Sequence, residues 1–234
     1  MTSGAAGGAI AGLSSMATRR LLAELADAYA QTNATLVTVE SVGGVDAARR
    51  VRDGEAFDFV VLAADAIDAL TAAACIVPGS RVDVARSEIA IAVRAGARRP
   101  DIGSEAAVRD AMLSARSLGV STGPSGAHLT RLLERWGIVA AVATRLVQAP
   151  PGVAVGTLVA RGDAEVGVQQ LSEMIDEPGI DVVGLLPPAI RHVTIFAAAV
   201  CSVSTRKAAA ATLLAFLASP AADDAKRRHG MAPA

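Results

Sequence analysis

The sequence predicts an α/β protein in two lobes, and three observations carry that expectation. Short apolar, β-branched runs alternate with longer stretches of helical apolar period, the pattern of parallel strands joined by helices. The run FDFVVLA at 57–63 is almost continuously apolar, as a strand covered on both sheet faces must be. Two long extended stretches, 81–94 and 192–202, interrupt the alternation, one leaving and one returning. The chain therefore reads as a discontinuous lobe, residues 1–86 and 188–234, with a second lobe, 87–187, inserted into it. Each lobe is expected to hold a mainly parallel sheet flanked by helices, and a cleft between lobes is a preferred ligand site.

Each element has its own signal. Residues 9–13 read as a strand, and the helix at 19–29 places Leu21, Leu22, Leu25 and Tyr29 on one face. A strand at 36–40, a helix at 45–52, the strand at 57–63 and a helix at 67–74 complete a β-α-β-α-β-α run, for which right-handed crossovers are expected. Asp65 stands where a helix N-cap is expected. After 81–94, the Gly/Pro-punctuated connector AGARRP opens a new α/β unit. Its helices are predicted at 105–115, 127–136, 153–160 and 171–175, and its strands at 117–121, 145–148 and 165–168. Within 127–136, Leu129, Leu132, Leu133 and Trp136 form an apolar stripe. Extended stretches at 180–185 and 192–202 follow, then helices at 205–217 and 221–229, the last stopped by Gly230.

Composition excludes several functions. The 234 residues are 52% hydrophobic but only 3% aromatic, so the core must be aliphatic. A net charge of −1 with interspersed signs argues against nucleic acid as a partner. The basic residues Arg19, Arg20, Arg49, Arg50, Arg52 and those at 226–228 fall on helical stretches as solvated faces. Cys75 and Cys201 are isolated, so neither a disulfide framework nor a zinc site is expected, and no motif asks for a cofactor. No apolar run reaches the ~18 residues of a membrane span. The start, MTSGAAGGAIAGLSS, lacks the basic and long apolar regions of a secretion signal. The expected location is periplasmic where a signal has been removed, and cytoplasmic otherwise.

Three places repeat one device, a strand followed by a Ser/Gly-rich turn and a helix start. They are Leu13-Ser14-Ser15-Met16, Glu40-Ser41-Val42-Gly43-Gly44, and Ser121 to Gly126, which includes Thr122 and Ser125. A helix start leaves N–H groups without intrahelical partners, glycine admits a close approach, and Ser or Thr adds a donor hydroxyl. Any one such turn reads as an ordinary cap; three of them, split between the lobes, point to an anion held without Lys or Arg. Gln169 and Gln170 end another strand, where side chains reach the ligand zone of an open parallel sheet, although helix capping explains a glutamine there equally well. Catalysis has little support. His128, His192 and His229 lie in separate segments, STGPSG is not GxSxG, and neither a Walker sequence nor a strand-linked GxGxxG occurs.

The runs AGLSSMATRRLLAELADAY, ESVGGVDAARRVRDGEAFDFVVLAADAIDAL, VPGSRVDVARSEIAIAVRAGA, GPSG, LVARGDAEVGVQQLSEM and LLAFLASPAADDAKRRHGMAPA together resemble the solute-binding proteins of molybdate-type ABC transporters. The resemblance spans nearly the whole chain in order. It implies a two-lobed type II periplasmic-binding-protein fold joined by two crossover strands, closing like a hinge on a small oxyanion. Carried over by position, it implies ligand contacts from Ser14 or Ser15, Ser41, Ser125 and Gly126 with Thr122 nearby, and the turn Pro151-Gly152-Val153. Where molybdate binders often carry a tyrosine, this chain has Gln169–Gln170. A glutamine carbonyl suits a ligand that also donates, so a small organic carboxylate fits at least as well as molybdate.

The expectation is a monomeric, non-enzymatic solute-binding protein for a small anion, working with an ABC permease. Its ligand contacts would be Ser14, Ser15, Ser41, Gly43, Thr122, Ser125, Gly126, Gly152, Gln169 and Gln170. The alternatives are a cytoplasmic sensor domain of the same fold and, third, an enzyme whose general base would be His128.

Overall fold

A computed structural model describes residues 9–234. The first compact unit consists of the described residues up to Ala85 together with Ile195–Arg228 and Pro233–Ala234; the second consists of Arg86–Thr194 and His229–Ala232. Strand β1 (Ile10–Ser15) runs into a single 3-10 turn, Met16–Thr18, and then helix α1 (Arg19–Asn33). There follow β2 (Val37–Val42), α2 (Gly44–Arg52), β3 (Phe59–Ala63), α3 (Ala64–Ala72) and the long β4 (Val82–Arg94), along which the chain passes into the second unit.

The second unit continues with α4 (Glu105–Ser114), β5 (Leu118–Val120), α5 (Pro124–Arg135) and α6 (Val139–Val142). Then come β6 (Leu146–Gln148), α7 (Val155–Arg161), β7 (Val166–Gln170), α8 (Leu171–Met174) and β8 (Ile180–Leu185). Strand β9 (Val193–Val200) leads back, and α9 (Lys207–Ala218), α10 (Asp223–Arg228) and β10 (Ala232–Pro233) end the chain.

In the first unit β1 lies between β2 and β3, parallel to both, and β9 pairs antiparallel with β3. In the second, β5 lies parallel between β6 and β7, while β7 and β8 pair antiparallel with β4. The cores are aliphatic, as the scarcity of aromatics requires. Leu13, Val60, Leu62, Ile67 and Leu70 cluster under α2 and α3. Along β4, Ile89, Ile91 and Val93 join one cluster with Met112, Leu118 and Leu129, whereas Ala90 and Ala92 join another with Val155, Val159 and Met174. That two-residue alternation with both sides buried is the signature of a sheet covered on two faces.

Several boundaries differ from the sequence reading, each for a local reason. Helix α3 begins directly after β3, with Ala63 at its cap, so Asp65 is not the N-cap; its Oδ1 instead accepts from the Ala66 N–H at 2.9 Å inside the first turn. Helix α5 begins three residues early, at Pro124, because proline's fixed φ and missing N–H suit the first helical position. Strand β7 extends through both glutamines. Residues 139–144, given no element from the sequence, form α6 and most of a 3-10 turn that also takes Arg145 from the expected strand, and the last helix divides into a 3-10 turn and α10.

Candidate functional site

The candidate residues of the first unit gather at the carboxyl ends of β1 and β2. The parallel register sets Ser14 opposite Ser41, and their hydroxyls lie 2.8 Å apart. Ser14 Oγ donates to the Ser15 carbonyl at 3.2 Å, so Ser41 is the donor of the serine pair. Thr18 Oγ1 donates to that same carbonyl, fixing the turn. Ser15, the last residue of β1, is 8% exposed, and its hydroxyl is buried with no hydrogen-bond partner. Its side chain packs toward Gly44, the first residue of α2, while Gly43 caps that helix with open space at its Cα. An unpaired hydroxyl beside a helix start, where the dipole is positive, suits an anion.

The second unit gathers its candidates between β5 and α5 and at the end of β7. Ser121 and Ser125 hydroxyls meet at 2.9 Å, and the Gly123 N–H donates to Ser121 Oγ at 3.3 Å. Ser125 is buried and Thr122 exposed. Gly126 is dictated by contact, since a Cβ there would lie 1.8 Å from the Ser121 carbonyl oxygen. Gly152 is exposed and takes φ +77 in its turn, a conformation that favours glycine.

The two glutamines, both buried, have opposite roles. Gln169 Oε1 accepts from the Val155 N–H at 2.7 Å, capping α7, and its Nε2 donates to Glu173 at 2.7 Å. Both ends of that amide are thus engaged within the unit. Gln170 Nε2 donates to Thr194 Oγ1 at 2.7 Å, whereas its Oε1 is buried without a partner. A hydroxyl both donates and accepts, so reversing this amide keeps the Thr194 bond and presents NH2 instead of C=O. Sequence reasoning missed Thr194, because it lies 24 residues from Gln170 and no local pattern links them.

The histidines divide. His128, in α5, stacks on His192 with ring centroids 4.6 Å apart and planes 15° apart. His229 Nδ1 lies 3.7 Å from Asp176 Oδ2. Among the described residues no group of three or more His, Cys, Asp or Glu could hold a metal ion, and no helix is long and apolar enough to cross a membrane. Burial, with lesser contributions from Asp58 and Cys75, pushes the Cys201 thiol up to about 12, leaving little nucleophilic thiolate at neutral pH.

The family model for the bacterial extracellular solute-binding proteins matches residues 10–232. The chain belongs to that family. It is 36% identical over 218 residues to an aconitate isomerase from Pseudomonas sp., a match covering 90% of this chain and 82% of the relative. Among solved structures it is similar to the periplasmic molybdate-binding protein of Azotobacter vinelandii, with a TM-score of 0.80, 18% identity, and coverage of 95% of this chain and 98% of that one. The sulfate-binding protein SubI from Mycobacterium tuberculosis H37Rv gives 0.75 at 17% identity, covering 97% and 87%. The fold is thus that of the periplasmic binding proteins, and the chain is a solute-binding protein by family.

Proposed function

We propose that this protein captures a small organic polycarboxylate, acts outside the cytoplasm, and delivers its ligand to an ABC permease. One observation carries the site: each unit has a buried polar atom without a partner at the carboxyl end of a strand, Ser15 Oγ on β1 and Gln170 Oε1 on β7. Leaving such a group unsatisfied costs about 1–3 kcal/mol, a cost that a bound ligand would remove. Donors would come from Ser15 and Gly43 in one unit and from Ser125, Gly126 and Gln170 in the other. Ser41 donates to Ser14, and Gln169 holds the start of α7. The adaptable Gln170 amide suits a carboxylate with hydroxyl or protonated groups, and the 36% identity to an aconitate isomerase favours a carboxylate over a metal oxyanion.

Titration calorimetry against citrate, trans-aconitate, cis-aconitate, molybdate, tungstate and sulfate tests this reading. Carboxylates are expected to bind at least tenfold more tightly than the inorganic anions. Preference for molybdate or sulfate would overturn the ligand class, and silence toward every anion would overturn the site.

The same identity favours a second reading, in which the chain also interconverts isomers of the unsaturated tricarboxylate it binds. A spectrophotometric assay with trans-aconitate separates capture from turnover.

A further inference from the structure

We propose that His128 Nδ1 is the proton-transferring base of the second unit's half of the site, with His192 as its positioning residue; this rests on the isomerase reading. His128 Nε2 lies 3.0 Å from the Ile190 carbonyl oxygen. A carbonyl can only accept, so Nε2 carries the proton and Nδ1 of the neutral ring keeps its lone pair. The nearly parallel stack on His192 fixes the plane of the ring, and with it the direction of that lone pair.

Both histidines adjoin candidate ligand contacts. His128 stands one helical turn beyond the buried Ser125, hence on a neighbouring part of the same face of α5. His192, just before β9, precedes Thr194, the partner of Gln170, by two residues. The two histidines thus belong to the stretches of chain that carry Ser125 and Thr194.

The electrostatics keep the base neutral. Burial lowers the proton affinity of His128 most, the Ile190 bond raises it, and Arg131 and Arg135 on its own helix lower it further. Arg135 is itself paired with Glu105. From the segment before β9 the facing titratable group is His192, and a second imidazolium there would oppose protonation of the first.

In an unsaturated polycarboxylate with a CH2 beside its double bond, Nδ1 takes one proton from that carbon. The C–H bond breaks, an N–H bond forms, and the electron pair spreads over the allylic carbons and their carboxylates. The imidazolium then returns the proton to the other end of the allyl system. The double bond shifts, no oxidant or second reactant is consumed, and the Nε2–H bond to Ile190 persists throughout.

The test measures trans-aconitate isomerisation by the full chain, alongside calorimetric binding of the same compound. We expect His128→Gln to lower kcat at least 1000-fold with Kd changed less than threefold. His192→Phe, which retains a stacking ring, should keep kcat within about fivefold, whereas His192→Ala should lower kcat and leave KM near the parent value. In the parent, the acid limb of the kcat/KM profile should lie below that of an ordinary histidine, because burial lowers the proton affinity of the free base. Full activity in His128→Gln, or equal losses in both His192 variants, would overturn the assignment while leaving the isomerase reading intact. No turnover by the parent would sink that reading, and this inference with it.

Discussion

At the scale of single residues, the turn STGPSG shows what a sequence can and cannot announce. Its hydroxyls and glycines are visible as a cluster, and their candidacy as donors follows from chemistry alone. That Pro124 opens the helix, putting Ser125 and Gly126 inside its first turn, depends on where the backbone bends, which small residues leave loosely specified. The need for glycine at 126 is likewise invisible until the Ser121 carbonyl is placed 1.8 Å from the would-be Cβ. Because the obstructing atom is backbone, no side-chain rotation can make room. Gly126→Ala is therefore expected to lower stability by about 1–3 kcal/mol through overpacking. Urea unfolding followed by circular dichroism reads this directly, and a variant as stable as the parent would show that the turn yields easily.

At the scale of elements, the alternation of apolar strands and periodic helices was legible because burial on both sheet faces imposes it on the central strands β1, β3, β7 and β9 and on residues 89–93 of β4. β4 is the clearest case, its odd and even residues feeding separate clusters. The end of β7 was not legible. Gln169 and Gln170 look like the polar stop of a strand, yet both are buried, since one caps α7 and the other bonds Thr194. This division separates two outcomes that sequence could not tell apart. Gln169→Leu leaves the Val155 N–H and Glu173 without their amide partner, and should lose about 1–3 kcal/mol of stability with ligand preference unchanged. Gln170→Leu removes one hydrogen bond, to Thr194, where Gln169→Leu removes two, so its stability loss should be smaller. Its ligand affinity should fall at least tenfold. Thermal melts paired with calorimetry decide this, and the reverse assignment of effects would exchange the two roles.

At the scale of the whole molecule, the chain distributes its proposed donors over two compact units, Ser15 in one and Ser125 in the other. Two stretches 110 residues apart in sequence could serve one ligand or act separately, and coupling energetics distinguishes the cases. Ser15→Ala should weaken carboxylate binding by about tenfold, or about 1.4 kcal/mol. Ser125→Ala should do similarly, since it removes the proposed donor hydroxyl of the other unit. If both grip one anion, the loss of either lets the ligand shift in the site, and the second substitution then removes less than it would alone. The double variant should fall short of the sum by at least 0.5 kcal/mol, the usual mark of residues sharing a partner. Strict additivity in the cycle would mean the serines do not act on a common ligand. The parent protein supplies an independent check of the same linkage. At a carboxylate concentration of 100 times Kd, mass action adds about 2.7 kcal/mol to the folded state. For a chain of this length that corresponds to a rise in Tm of roughly 5–11 °C. Binding through one unit alone would raise only that unit's transition and split the melt into two steps, whereas a ligand gripped by both moves a single transition upward.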